Sequence, residues 1–242
     1  MRLFRRGAIT LVDSVPHPTE REVLRALGIP HHEHIAQIAE AGVREAIGLA
    51  LRRALKMTSF QAVFRTAEVI RTEPKEVIAA DAPEGMLRSP TFARRFADAK
   101  EIAILTVTLG QTWDDVLDEL GQRGEAAEAW FLDALGTRLV DLASRRVEER
   151  VTRDMAREGL GRIGRYRPGY GDVPLELQAL FCHFVEAERI GVHPNEAMSL
   201  WPRKSVTTVV GFGAKSAKGD PKPQMFKLGF RAGHDRDHED ES

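Results

Sequence analysis

Arg165-Tyr166-Arg167-Pro168-Gly169-Tyr170-Gly171-Asp172 and, further on, Ser199-Leu200-Trp201-Pro202 are the two stretches whose reading decides what this chain folds into. Proline fixes one backbone torsion and glycine reaches the left-handed conformation that a type II turn requires, so Pro168-Gly169 predicts a rigid turn. The turn is flanked by a cationic fork at Arg165 and an aromatic plate at Tyr170. A guanidinium binds a carboxylate through two parallel hydrogen bonds, which an ammonium does not match. A phenol adds a flat apolar face and one polar tip. These parts suit a zwitterionic, partly aromatic small molecule.

Together the two segments resemble the activation domain of cobalamin-dependent methionine synthase, the module that binds S-adenosylmethionine. The family's signature is Arg-x-x-Pro-Gly-Tyr, followed by Met-Trp-Pro or a similar tripeptide and a Ser-Val that opens a strand. The counterparts here are Arg165, Pro168, Gly169 and Tyr170, then Leu200-Trp201-Pro202 and Ser205-Val206. Pro168-Gly169-Tyr170-Gly171-Asp172 with Pro174-Leu175-Glu176 resembles the free-standing members more than the fused ones. Leu24-Arg25-Ala26-Leu27-Gly28 and Thr106-Val107-Thr108-Leu109-Gly110 are weaker echoes, so the likeness runs over residues 20 to 215.

The resemblance implies an S-adenosylmethionine site made by Arg165, Arg167, Gly169 and Tyr170. Arg165 would take the ligand carboxylate, Gly169 would let backbone groups approach, and Tyr170 would pack near the sulfonium or adenosyl portion. It also implies a cobalamin held by a partner protein, either cobalamin-dependent methionine synthase or another corrinoid protein. A reductant such as a flavodoxin or ferredoxin would supply the electron. The chain departs from the family in three places. No counterpart of the ligand-binding aspartate is found near Lys56-Met57-Thr58, Val210-Gly211 replaces a Tyr-Phe pair, and Arg167 replaces a small residue. The departures keep a second reading open, a binding module of the same fold without reactivation. A third, methyl transfer to another acceptor, finds no Rossmann-type methyltransferase motif.

The rest of the chain is read from composition and period. At 242 residues, 43% hydrophobic and 29% charged, it has the composition of a soluble globular protein with a sizeable core. The net charge of −1 gives no basic field for nucleic acid. No apolar run approaches the ~20 residues that cross a bilayer, and none follows Met1-Arg2-Leu3-Phe4-Arg5-Arg6 as a secretory signal would. The single cysteine, Cys182, excludes an internal disulfide and fits a reducing cytoplasm.

Residues 1–18 are expected as an irregular lead, 19–231 as one α+β domain and 232–242 as a charged, disordered tail. Thr19 and Glu22 form a capping box before a short helix that Gly28 and Pro30 end. Helices are predicted over 33–55, 91–99, 112–120, 125–158 and 175–188. Short strands are expected within 60–80 around a turn at Pro74, at 102–107, at 205–212 and, as a closing strand, at 225–230. Without regular βαβ spacing, this mixture favours a largely antiparallel sheet flanked by helices.

Gly159-Leu160-Gly161-Arg162-Ile163-Gly164 matches the G-x-G-x-x-G string, but that motif works only between a strand and a helix. Here it follows a long charged helix, so the glycines are expected to end that helix and give the chain slack. His31, His32 and His34 read as a solvated helix start, and Cys182, between Phe181 and Phe184, as a small core residue. No catalytic acid, base or metal-ligand set is identified. Trp201-Pro202 also reads as a core aromatic with a strand-entry proline, and Arg165 as a surface arginine beside a helix end.

Overall fold

Ile102-Ala103-Ile104-Leu105-Thr106-Val107 carries no polar–apolar alternation because both faces of this strand are covered. Every one of its side chains is buried, as expected for a strand with helices on both sides. The computed structural model of the protein describes Gly7 and residues 9–12, 19–26, 29 and 31–214. Within it, β1 (Thr10–Val12) is followed by α1 (Glu20–Ala26) and α2 (Ala41–Met57). A hairpin of β2 (Gln61–Glu73) and β3 (Glu76–Ala79) leads to α3 (Pro90–Arg95) and the central strand β4 (Ala99–Thr108). Two helices follow, α4 (Thr112–Gln122) and the 32-residue α5 (Ala126–Arg157). The chain then forms β5 (Leu160–Tyr166) and α6 (Leu177–Val185). It ends in a small ribbon, β6 (His193–Pro194) with β7 (Leu200–Trp201), and the long β8 (Ser205–Ala214).

The main sheet runs β1-β2-β4-β8-β5, with β3 beside the far end of β2, and each of its strand pairs is antiparallel. The α+β, largely antiparallel class expected from the sequence is the class observed. One face packs Phe64, Leu105, Val210 and Phe212 against Trp113 of α4 and the stripe Leu132, Leu135, Leu139, Val147 and Val151 of α5. The other packs Val63, Ile102, Ile104 and Val209 against Phe92, Phe96 and Phe181. Cys182 lies in this second core with its thiol pushed up to about 12 by burial, a packing residue as expected. No helix among the described residues is long and apolar enough to cross a membrane.

Several expectations need correction. Residues 10–12 are not irregular: they pair with Ala62–Phe64 as an edge strand too short to show a period. The helix expected from residue 33 begins at Ala41, after a 3-10 turn at Ile35–Gln37. Ile38 takes an extended backbone there while still burying its side chain with Leu24 and Ile47, so tertiary packing uses the apolar spacing without a helix. The strands expected within 60–80 do turn at Pro74, but the first is one long strand, Gln61–Glu73, rather than short pieces, and α3 is shorter than predicted because Ala99 already belongs to β4. The α6 helix stops at Val185, where Glu186 turns left-handed at φ 54°. The capping box of Thr19 and Glu22 is present in both directions, at 2.9 and 3.3 Å. The expected closing strand and charged tail lie outside the described residues.

The largest correction concerns 159–164. Only Gly159, at φ 78°, acts as a helix terminator; from Leu160 the segment is the edge strand β5. Its glycines exist for closeness. Gly161 pairs with Gly213 and Gly164 with Gly211, and Phe96 lies over the Gly164–Gly211 pair. A Cβ on Gly211 would sit 2.4 Å from Phe96 Cδ1. Gly211→Ala should therefore cost about 1–3 kcal/mol of stability by overpacking. Gly42→Ala, in a helix with open space around it, should instead stabilise by about 0.5–1 kcal/mol. Urea denaturation of both variants checks the contrast.

Candidate functional site

The register of β5 decides where a cavity opens. Its last pair with β8 is Tyr166↔Val209, while β4 continues along β8 to Ser205. Residues 205–208 of β8 therefore have no strand neighbour on that side among the described residues, and their edge-facing backbone groups are offered to whatever sits there. At Arg167-Pro168 the chain leaves the sheet and loops over this open edge. A cavity of about 310 Å³ lies between them. Arg167, Pro168 and Tyr170 line it from the loop, Leu200 and Arg203 from the ribbon, and Ser205 and Thr207 from β8. The two motif segments, distant in sequence, thus meet on one concavity.

The loop is held rather than free. Gly169 (φ 83°) donates its N–H to the Val173 carbonyl at 2.9 Å, and Val173 N–H donates to Tyr170 O at 3.1 Å. Gly171 adopts φ 61°, and a Cβ there would lie 2.8 Å from the Tyr166 hydroxyl. Asp172 anchors the far end, accepting from Ser89 Oγ at 3.0 Å and from Thr91 N–H at 3.1 Å. The bonds from Thr91 and Ser89 hold its carboxyl at about 2, well below the usual range.

The ribbon side is equally fixed. Arg203 donates its backbone N–H and its Nε to the fully buried Asp114, at 2.9 and 2.6 Å, and its Nη2 to Asp118. Partial burial works against its charge, but the bonds to Asp114 and Asp118 outweigh that and raise its pKa. Its guanidinium also lies 5.7 Å from the Trp201 ring centroid. Trp201 is half-buried and outside the cavity lining, whereas its neighbour Leu200 is in it. Lys204 Nζ reaches Asp133 at 2.7 Å and Thr137 at 3.0 Å, tying the same segment to α5.

Of the four residues expected to bind ligand, Arg167 and Tyr170 line the cavity and Gly169 shapes its loop. Arg167 is held by Thr208 Oγ1 at 3.2 Å and Asp141 at 2.7 Å. The Asp141 carboxyl stays below its ordinary value because Arg167 and Arg145 overcome its burial. Arg165 stands apart. It is neither a surface arginine nor part of this cavity: it turns toward α5, 10% exposed, with Nη1 3.2 Å from Glu148 Oε2. Burial pulls its pKa down, Glu148 opposes that, and Arg167 adds to it. Arg203 and Gln178, both in the lining, were not singled out from the sequence. An i,i+4 pair of aspartates on α4, Asp114 and Asp118, is the sequence signal that a cation would be held nearby.

No family model matches the sequence, and no curated protein resembles it at the level of sequence. Among solved structures, the fold is similar to that of the MetH reactivation domain bound to AdoHcy. The TM-score is 0.55 at 15% identity, covering 88% of this chain and 81% of that one. The likeness is one of architecture.

Two outcomes follow from this geometry. Asp172 has a depressed carboxyl, so the stability it contributes is present above its ordinary value of 3.8 and lost as pH falls toward about 2. The urea-midpoint difference between wild type and Asp172→Asn should be constant above about pH 5 and close between about pH 4 and 2. A pH-independent difference would remove Asp172 as the loop's anchor. Arg165→Ala leaves one oxygen of the buried Glu148 without its cation, so a loss of about 1–3 kcal/mol is expected in the same measurement.

Proposed function

We propose that the protein is an S-adenosylmethionine-binding module of the reactivation type, acting on a cobalamin carried by a partner protein. The observation that carries the reading is the meeting of the Pro-Gly-Tyr loop and the Leu-Trp-Pro ribbon on one cavity at the open edge of β8. The architecture shared with a reactivation domain that was solved with AdoHcy supports it.

The residues present fit such a ligand in kind. The cavity falls at the lower end of the ~300–1,000 Å³ range of small-molecule sites. Tyr170, 41% exposed, offers an aromatic face. The β8 edge offers backbone donors and acceptors, and the hydroxyls of Ser205 and Thr207, whose protons go to Thr108 Oγ1 and Gln178 Oε1, offer acceptors. Arg167 and Arg203, each oriented from behind by carboxylates, offer a place for the ligand carboxylate. When bound, S-adenosylmethionine would supply the methyl group for the partner's cobalamin, with one electron from a separate reductant such as a flavodoxin or ferredoxin. The chain's own task is orientation, which needs no general acid or base. Cobalamin-dependent methionine synthase or another corrinoid protein is the partner this reading calls for.

One observation favours the second reading, a ligand-binding module without methyl delivery. Among the described residues the lining contains two guanidiniums and no carboxylate to face a sulfonium. Tyr170→Ala should weaken S-adenosylmethionine binding at least about tenfold in isothermal titration, with the urea midpoint unchanged. Absence of binding by the wild-type protein rejects both readings. Binding without methyl transfer to a reduced corrinoid protein selects the second.

A further inference from the structure

A second concavity, of about 390 Å³, lies between α5 and β5 on the side of the sheet away from α6. Arg145, Arg153, Arg162 and Arg165 line it, with Glu148, Glu149 and Thr152. Four guanidiniums thus face two carboxylates; Arg145 is also paired with Asp141, outside the cavity, through Nε and Nη2 at 3.0 Å, so the unanswered positive charge centres on Arg153, Arg162 and Arg165. Glu148, 8% exposed, is divided between Arg162 at Oε1 and Arg165 at Oε2, both at 3.2 Å. Glu149 lies 3.5 Å from Arg146, outside the cavity. Arg153 is exposed and has no carboxylate partner among the described residues. Arg165 is nine-tenths buried, and its Nε makes no hydrogen bond.

The convergence has a structural cause. Residues three apart on a regular strand point to opposite faces. Arg162 and Arg165 share a face because the register slips between Arg162 and Gly164, so that Ile163 alone turns toward Phe96 and the opposite core. Bulges of this kind re-aim side chains and recur beside binding sites. Without the slip, one of the two arginines would point into an apolar core.

We infer that this cleft is a binding site for a small phosphate-bearing anion. Phosphate matches the fork of several guanidiniums bidentately. A dianion also answers the excess of positive charge, which neutral or cationic ligands do not. The concave shape and volume fit a small molecule. The site is separate from the cavity at the β8 edge and does not depend on how that cavity is used.

Isothermal titration of the whole protein with inorganic pyrophosphate at low salt tests it. Saturable binding with a dissociation constant below about 1 mM is expected. Arg153→Gln, an exposed change that spares the fold, should weaken it by about tenfold, and Arg162→Gln at least as much. Lys56→Gln, the same loss of charge on α2, should leave it within about twofold. ADP binding more tightly than pyrophosphate would name a nucleotide as the source of the phosphates; equal affinity would assign recognition to the diphosphate alone. The inference is overturned if no saturable heat appears, or if Lys56→Gln weakens binding as much as Arg153→Gln. It is also overturned if Arg153→Gln abolishes S-adenosylmethionine and pyrophosphate binding together, which would make the two cavities one site.

Discussion

The slipped register of β5 is the constraint on which the rest of the arrangement depends. It places Leu160, Arg162 and Arg165 toward α5, and Ile163 and Tyr166 toward the opposite core. Arg167, just beyond the strand, also reaches α5 at Asp141. The slip needs glycine at positions where two backbones and the Phe96 ring come together, which is why glycines pair across β5 and β8. The pairing ends at Val209 because the chain turns off at Arg167-Pro168, where proline has no N–H to donate, and this leaves the start of β8 uncovered where the loop folds back.

The ion pairs between β5 and α5 are better understood as setting position than as adding stability. Removing a guanidinium and a carboxylate from water costs roughly what their mutual attraction returns. What they contribute is selectivity among possible helix placements. Asp141 and Glu148 are two turns apart on α5, so both meet their arginines at one rotation and one axial position of the helix. The apolar stripe of α5 tolerates small slides; two charge pairs with opposed burial costs do not. Tying α5 to β5 also holds Arg167, the residue that begins the loop.

Much of the fold was legible because the two long signals were unambiguous: the period of α5 and the apolar runs of β4 and β8. What failed was local and has identifiable causes. The glycine run of β5 showed no alternation, since glycine has no side chain to alternate, and a glycine-rich edge strand looks like a linker. The break before Ala41 carries neither proline nor glycine at Ile38-Ala39-Glu40, so nothing in the sequence marks it. For the site, the sequence identified both segments and their turn chemistry. It left open which way Arg165 faces, because that depends on a register slip that residue spacing does not reveal. Arg203 was overlooked for a related reason: its role comes from Asp114, a residue 89 positions away that is wholly buried in the fold.

The cavity at the β8 edge is preorganised on every side. Asp172 fixes the loop to α3, Arg203 is clamped by α4, Lys204 is tied to α5, and Gln178 meets Thr207 from α6. A ligand entering such a site loses little free energy to ordering the protein. It also finds groups that cannot rearrange to suit it. Two guanidiniums already satisfied by aspartates behind them hold their orientation in the absence of ligand, and no carboxylate among the described residues lines the cavity. The rigidity that favours binding therefore sharpens the question of charge. An anionic group entering this cavity would meet Arg167 or Arg203, while Tyr170 adds an aromatic ring to the lining.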